Sequence, residues 1–352
     1  MIHLSNEDNP LILSNVPEGM EALVLANTAK KMDNDQPLLH IARDDMRMEN
    51  IAQLLKFFTP EIEVITFPAW DCLPYDRVSP NTDILARRMM ALFKIIKPHK
   101  KQIIISTINA VTQKIPAKDT IKSASFEINV GGALNTDALS LYLTNNGYAR
   151  ASSVVDHGDF AIRGNIIDIF PPGSKLPVRI DLWGDEVESL KSFEPLSQRT
   201  TQNINHILLI PMGEVFLDEK SIKNFRRAYV TEFGATRGND PLYEAVTEGR
   251  RHAGMEHWLA FFHDKLEMLF DYIPNALVTI DNLTTEALDT RLTAISDYYQ
   301  ARKSALDDAP KGHGVIAPYK PVPTEKLFIN LEQWQQYAEQ FKFHQFNPFA
   351  AP

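Results

Sequence analysis

Three short apolar runs, each separated from the next by a stretch with helical spacing, set the tightest limit on the fold. The runs are "QPLLHIA" (Gln36 to Ala42), "EIEVITF" (Glu61 to Phe67) and "KQIIIST" (Lys101 to Thr107). Runs like these suit strands buried on both faces. Between the first two, Met48, Ile51, Leu54, Leu55 and Phe58 recur at helical spacing. Between the second and third, Ile84, Leu85, Arg88, Met89, Leu92 and Phe93 do the same behind Ser79-Pro80, a proline suited to a first helical turn. Strand, helix, strand, helix, strand implies a parallel α/β sheet with right-handed crossovers.

The pattern changes near residue 125. "SFEINVGG" reads as a strand ending in a turn, and "TDALSLYLTNNGY" as a helix. Three strands then follow in quick succession, separated by "PPGSKLP" and "WGDE", which predicts an antiparallel meander closed by "HILLIP". Beyond Pro211, "SIKNFRRAYVTEFG", "LYEAVTEG" and "HWLAFFHDKLEMLFDYI" have helical periodicity, "ALVTID" reads as one more buried strand, and "KGHGVIAPYKPVPTEK" as a connector. The expected organisation is an α/β domain over 1–124 and an inserted α+β domain over 125–211. A continuation over 212–335 packs back on the first part, and 336–352 forms a linker or tail.

Chemistry enters mostly by exclusion. The formal net charge of −9 lacks the overall basic footprint of a nucleic-acid binder. Cys72 is the single cysteine, so no internal disulfide forms and a reducing, cytoplasmic setting is expected. The N-terminus does not read as a signal peptide, and no apolar stretch reaches the length of a bilayer span. A phosphate-binding loop needs G-x-x-x-x-G-K-[ST]. "SNVPEGMEALVLANTAKK" has only Gly19, with Glu18 and Glu21 where a lysine would be wanted. His252 and His257 do not have zinc-helix spacing, and they read as polar histidines on a helix flank. Asp71 beside Cys72 raises the thiol pKa and argues against a nucleophile. No catalytic, cofactor-binding or metal residue is assigned. Asp181, Asp185 and Glu186 read as a strand pairing and a turn rather than as a carboxylate pair.

One stretch calls for more. In "FAIRGNI", Phe160 and Ile162 share one strand face, while Ala161, Arg163 and Asn165 share the other. In "RIDLW", Ile180 and Leu182 point inward, while Arg179, Asp181 and Trp183 point outward. Ile162, Ile166, Ile180 and Leu182 are the expected core, and both arginines are expected to face water. Arginine and tryptophan are enriched at binding hot spots. Equally, Trp183 could pack under a neighbouring domain while the arginines form surface pairs worth under ~1 kcal/mol each. The residues alone leave both readings open.

"YARASSVVDHGDFAIRGNIIDIFPPGSKLPVRIDLWGDEVESLKSF" resembles the UvrB-interaction-type domain shared by the excision-repair helicase UvrB and the bacterial transcription-repair coupling factors (Mfd). "FPAWDCLPYDRVSPNTDILARRMMAL" and "EGRRHAGMEHWLAFF" are similar to two further segments of the coupling factors. The chain lacks UvrB's phosphate loop, and "TQKIPAKDTIKSASFEI" leaves no room for UvrB's DNA-gripping hairpin. The resemblance implies a degenerate P-loop, helicase-like parallel-sheet domain interrupted by an inserted domain that binds UvrA. It places that contact on Arg163, Arg179 and Trp183, where the family usually has phenylalanine at the last position. Asn165 and Asp181 would support the face. It implies a non-catalytic adaptor without cofactor and a monomer without membrane contact, although the full-length family is an ATP-dependent DNA translocase. RNA polymerase and DNA would be met through regions this chain does not contain, as in a fragment or truncated product. The competing expectations are a nucleic-acid-binding module and an enzyme with an unrecognised nucleotide site.

Overall fold

The computed structural model describes residues 4–5, 9–96, 101–235, 240–309 and 318–350. The first part of the chain builds strands β1 (Ile12–Leu13), β2 (Leu38–Ala42), β3 (Glu63–Phe67) and β4 (Gln102–Thr107). Helices α1 (Met20–Lys31), α2 (Asp45–Phe58) and α3 (Thr82–Ile96) connect them. A short strand, β5 (Ile115–Pro116), follows. Next come β6 (Phe126–Asn129), a helix over Thr136–Asn145, β7 (Ala149–Arg150), β8 (Asp159–Arg163), β9 (Ile166–Ile169), β10 (Val178–Trp183), β11 (Glu186–Phe193), β12 (Thr200–Ile204) and β13 (His206–Leu209). The rest is mainly helical, with three more strands: β14 (Leu266–Glu267), β15 (Leu277–Ile280) and β16 (His344–Phe346).

The parallel sheet has the order β1-β16-β15-β2-β4-β3. Its strands alternate between two apolar layers. Leu39, Ile41, Ile104 and Val278 join one cluster with Met89, Leu92 and Phe93 of α3. Leu38, Ala42, Ile103, Ile105 and Leu277 join another with Leu25 of α1 and Ile51 and Leu55 of α2. Burial on both faces is why these strands read as unbroken apolar runs. The chain leaves this sheet after β4 and rejoins it with β15 and β16.

The second sheet has the order β12-β11-β10-β9-β8-β7 and is antiparallel except for β7 beside β8. Its inner face packs Phe160, Ile167, Ile169, Val178, Ile180 and Leu182 on the helix residues Leu139 and Leu143 and on Ile207 and Leu209. An ion pair with both side chains fully buried joins α3 to the segment that follows β13. Arg88 of α3 donates from Nη2 to Glu214 Oε1 at 2.8 Å and from Nη1 to the Pro68 carbonyl at 2.7 Å. Trp70 Nε1 donates to Glu214 Oε2 at 2.9 Å.

Two expectations need correction. Residues 336–352 are not wholly a tail, because the helix Leu331–Phe341 leads into β16, which pairs with both β1 and β15. A three-residue strand is too short to show a period. "HWLAFFHDKLEMLFDYI" is not one helix but the short turns Met255–Trp258, Leu259–Phe262 and Leu269–Tyr272 with β14 among them. Met255, Leu259, Phe262, Leu269 and Phe270 are all buried, so the segment is apolar without a single outer face. Part of the expected connector, 311–317, lies outside the described residues.

Candidate interaction face

Two tight hairpins build the site. The β8–β9 turn holds Gly164 and Asn165, the β10–β11 turn holds Gly184 and Asp185, and both lie at the same end of the sheet. Gly164 has φ 62° and Gly184 has φ 61°, the positive φ that a two-residue hairpin turn demands at its first central residue. The turns fix the register and therefore which side chains face out. Arg163 pairs with Ile166, Ile166 with Asp181 and Asp181 with Ser189, giving one outer row across four strands. The row beneath runs Ala161, Asp168, Arg179 and Lys191. Trp183 extends β10 beyond the first row.

The outer face is open near the turns and roofed below them. Val154, Ala161, Phe170 and Phe193 form a small buried cluster on this side. Gln198 ties its roof together by donating to the Val154 carbonyl at 3.1 Å. Trp183 is 78% exposed, so it does not pack under a neighbouring domain. The Arg163 side chain is 49% exposed, but that of Arg179 is only 19% exposed. The expectation that both arginines face water holds for Arg163 alone. Ile166, expected in the core, is exposed in the outer row, and Ile162 is only partly buried. Asn165 is exposed in its turn, where its carbonyl accepts from Leu182 N at 2.9 Å.

Charge on this face is organised around Asp168, a residue that the sequence does not single out. Asp168 is 1% exposed. Arg179 grips it with both arms, Nε to Oδ1 at 2.7 Å and Nη2 to Oδ2 at 2.9 Å. The Arg179 guanidinium also lies 4.7 Å over the Phe193 ring and donates to the Gln198 carbonyl at 3.3 Å. Arg163 approaches Asp168 Oδ2 from the other side at 3.6 Å and donates to the Ser152 carbonyl. Asp181 accepts from Lys191 at 2.8 Å and Ser189 at 2.6 Å. Partial burial pushes its pKa up, and these two hydrogen bonds with the lysine charge outweigh that, holding it below the ordinary carboxylate range. Together the face presents a flat indole, an exposed isoleucine and guanidinium donors anchored on a carboxylate. That set suits a partner surface carrying carboxylates and an apolar contact.

The carboxyl end of the parallel sheet is where open α/β folds hold ligands. Here protein groups fill it. Gly19 N donates to Glu21 Oε2 at 2.7 Å, and Arg47 Nη2 donates to Glu21 Oε1 at 2.6 Å. Arg47 Nε donates to Asp281 Oδ2, just past β15, at 3.1 Å. His40 of β2 lies nearby, its Nδ1 2.9 Å from Thr279 Oγ1, and burial pushes its pKa down to about 4. Among the described residues no group of three or more His, Cys, Asp or Glu is placed to hold a metal ion. His257 is not on a helix flank. It is buried, edge-on to Trp70 at 5.7 Å, with Nε2 3.8 Å from Cys72 Sγ. Burial first, then the Asp71 charge, pushes the Cys72 thiol up to about 12. Among the described residues no helix is long and apolar enough to cross a membrane.

Comparison with known proteins matches the segment that carries this face to a known domain. Residues 126–214 match the UvrB interaction domain. The chain is 35% identical to the transcription-repair-coupling factor of Rickettsia bellii over 260 residues, 73% of this chain and 23% of that protein. It is 30% identical to that of Haemophilus influenzae over 325 residues, 92% and 27% respectively. With that of Escherichia coli it shares 32% over 306 residues, 85% and 26%. The chain thus spans about a quarter of the length of the curated relatives it matches.

Proposed function

Because this chain is related to the transcription-repair-coupling factors over most of its length and carries a UvrB interaction domain, we propose that it is a non-catalytic docking module that binds the excision-repair protein UvrA. The single observation that carries the reading is the cluster of Arg163, Asp168 and Arg179 beside the exposed Trp183, inside the matched domain. Docking there brings excision repair to stalled transcription. Arg163 and Trp183 supply the exposed contacts, Arg179 the anchored ones, and Asn165 and Asp181 border them. RNA polymerase and DNA are partners of the longer protein.

The degenerate nucleotide site belongs to the same reading. Glu21 puts a carboxylate on the Gly19 amide and on Arg47, where a nucleotide fold would put phosphate. The chain therefore neither binds nor hydrolyses ATP.

Calorimetric titration of the 352-residue chain with UvrA tests the docking. Arg163→Ala and Trp183→Ala should each weaken binding about tenfold or more, at ~1.4 kcal/mol per decade. Equal binding by wild type and both variants would move the interface off this face. Saturable ATP binding would sink the non-catalytic part separately.

A further inference from the structure

We propose that Asp168 is the positioning residue of the docking face: a buried carboxylate that holds Arg179, draws in Arg163 and so sets both arginines for a carboxylate-bearing partner. The inference rests on the reading that this face binds UvrA.

Strand order carries the argument. Arg163 lies on β8 and Arg179 on β10, with β9 between them. Asp168 lies on β9, directly across from Arg179 and two residues along from Ile166, the partner of Arg163. A carboxylate is not buried without charged or hydrogen-bonding partners, and Asp168 has both arginines. Its two grips are unequal. Arg179 is held by two short charge-assisted bonds, whose planar fork fixes the guanidinium's orientation. Arg163 Nη1 at 3.6 Å is beyond a hydrogen bond, so although Nη2 donates to the Ser152 carbonyl, the attraction to Asp168 leaves the Nη1 donors available to a partner. Without Asp168, two cations would repel across one strand, and each long side chain would have to be ordered when the partner arrived. With it, one negative charge offsets part of the repulsion and the ordering precedes binding. Asp168 contributes through the arginines and is itself too covered to reach a partner.

The test is the same UvrA titration with the full chain. Asp168→Asn keeps the shape but removes the charge, and should weaken binding about tenfold while the melting curve keeps its cooperative form. Adding Arg163→Ala to Asp168→Asn should then cost clearly less than Arg163→Ala costs alone, a coupling that a merely structural role would not produce. Arg179→Lys keeps the cation and loses the fork, and should weaken binding several-fold. If Arg163→Ala weakens binding but Asp168→Asn and Arg179→Lys bind as wild type, the inference is overturned and the docking reading stands. If Arg163→Ala and Trp183→Ala also bind as wild type, the docking reading fails and takes the inference with it. Should Asp168→Asn not fold, a cycle between Arg163→Ala and Arg179→Lys decides. Coupling supports the positioning role and strict additivity overturns it.

Discussion

Two arginine–carboxylate clusters in this molecule count their charges in opposite ways. At the carboxyl end of the parallel sheet, Arg47 sits between two buried acids, Glu21 and Asp281. On the antiparallel sheet one buried acid, Asp168, sits between Arg163 and Arg179. The first cluster is closed, and its arginine side chain is 8% exposed. The second is open at Arg163. A closed cluster with surplus carboxylate repels phosphate. An open cluster with surplus guanidinium has something left to offer a partner. The same ionic chemistry thus separates a filled ligand position from the proposed docking face, and register and roofing decide which is which.

The sharpest way to break the comparison is Arg47→Ala. It leaves Glu21 and Asp281 buried without their cation, and should lower unfolding free energy by about 3–5 kcal/mol in a denaturant titration. UvrA affinity of the folded chain should not move. A loss of affinity at full stability would mean that the closed cluster takes part in binding.

Next in size is a pH effect confined to the structural side. Burial pushes His40 and His257 down to about 4 in the folded chain, and both return to about 6.5 on unfolding. Between those values the unfolded state binds more protons. Stability is therefore complete above about pH 6.5 and falls as pH drops toward 4. At pH 5 the loss is at most roughly 2 kcal/mol per histidine. Unfolding free energies flat from pH 7 to pH 5 would show that these histidines are not held neutral.

Arg179→Ala should mix the two behaviours. It leaves Asp168 buried with only the longer Arg163 contact, so about 1–3 kcal/mol of stability should go along with affinity. Arg163→Ala should leave the melting temperature near wild type. If both variants melt alike, Arg179 is no anchor. The smallest effect belongs to Lys191→Ala. Lys191 and Asp181 are both partly exposed, so stability should change by less than about 1 kcal/mol. A larger loss would mean that the outer row is a coupled network rather than an anchored pair with neighbours.

The parts of this architecture legible in the sequence are those whose environment is uniform along a strand. β2 and β4 are buried on both sides and read as unbroken apolar runs. The alternation in "RIDLW" likewise put Arg179, Asp181 and Trp183 on one face. What stayed hidden depends on residues far along the chain. Asp168 stands inside the apolar run "NIIDIF", and a lone acid there was the signal available. Its burial, however, comes from arginines on two other strands. The covering of Arg179 comes from Phe193 and Gln198, which no local pattern connects to it. Chemistry alone assigns Ile166 inward, although its position in the hairpin faces it outward.

The Arg88–Glu214 pair has a mechanical consequence. It ties the helix covering the parallel sheet to the segment where the chain re-enters from the inserted domain, and Trp70 and the Pro68 carbonyl brace it. A buried pair held by several directional bonds resists sliding and twisting far better than apolar contact alone. On the docking reading, a pull applied to Trp183 by a partner would reach the parallel sheet through this joint. The joint would therefore act as a bracket, so that a partner gripping the sheet face and whatever holds the α/β body should turn together.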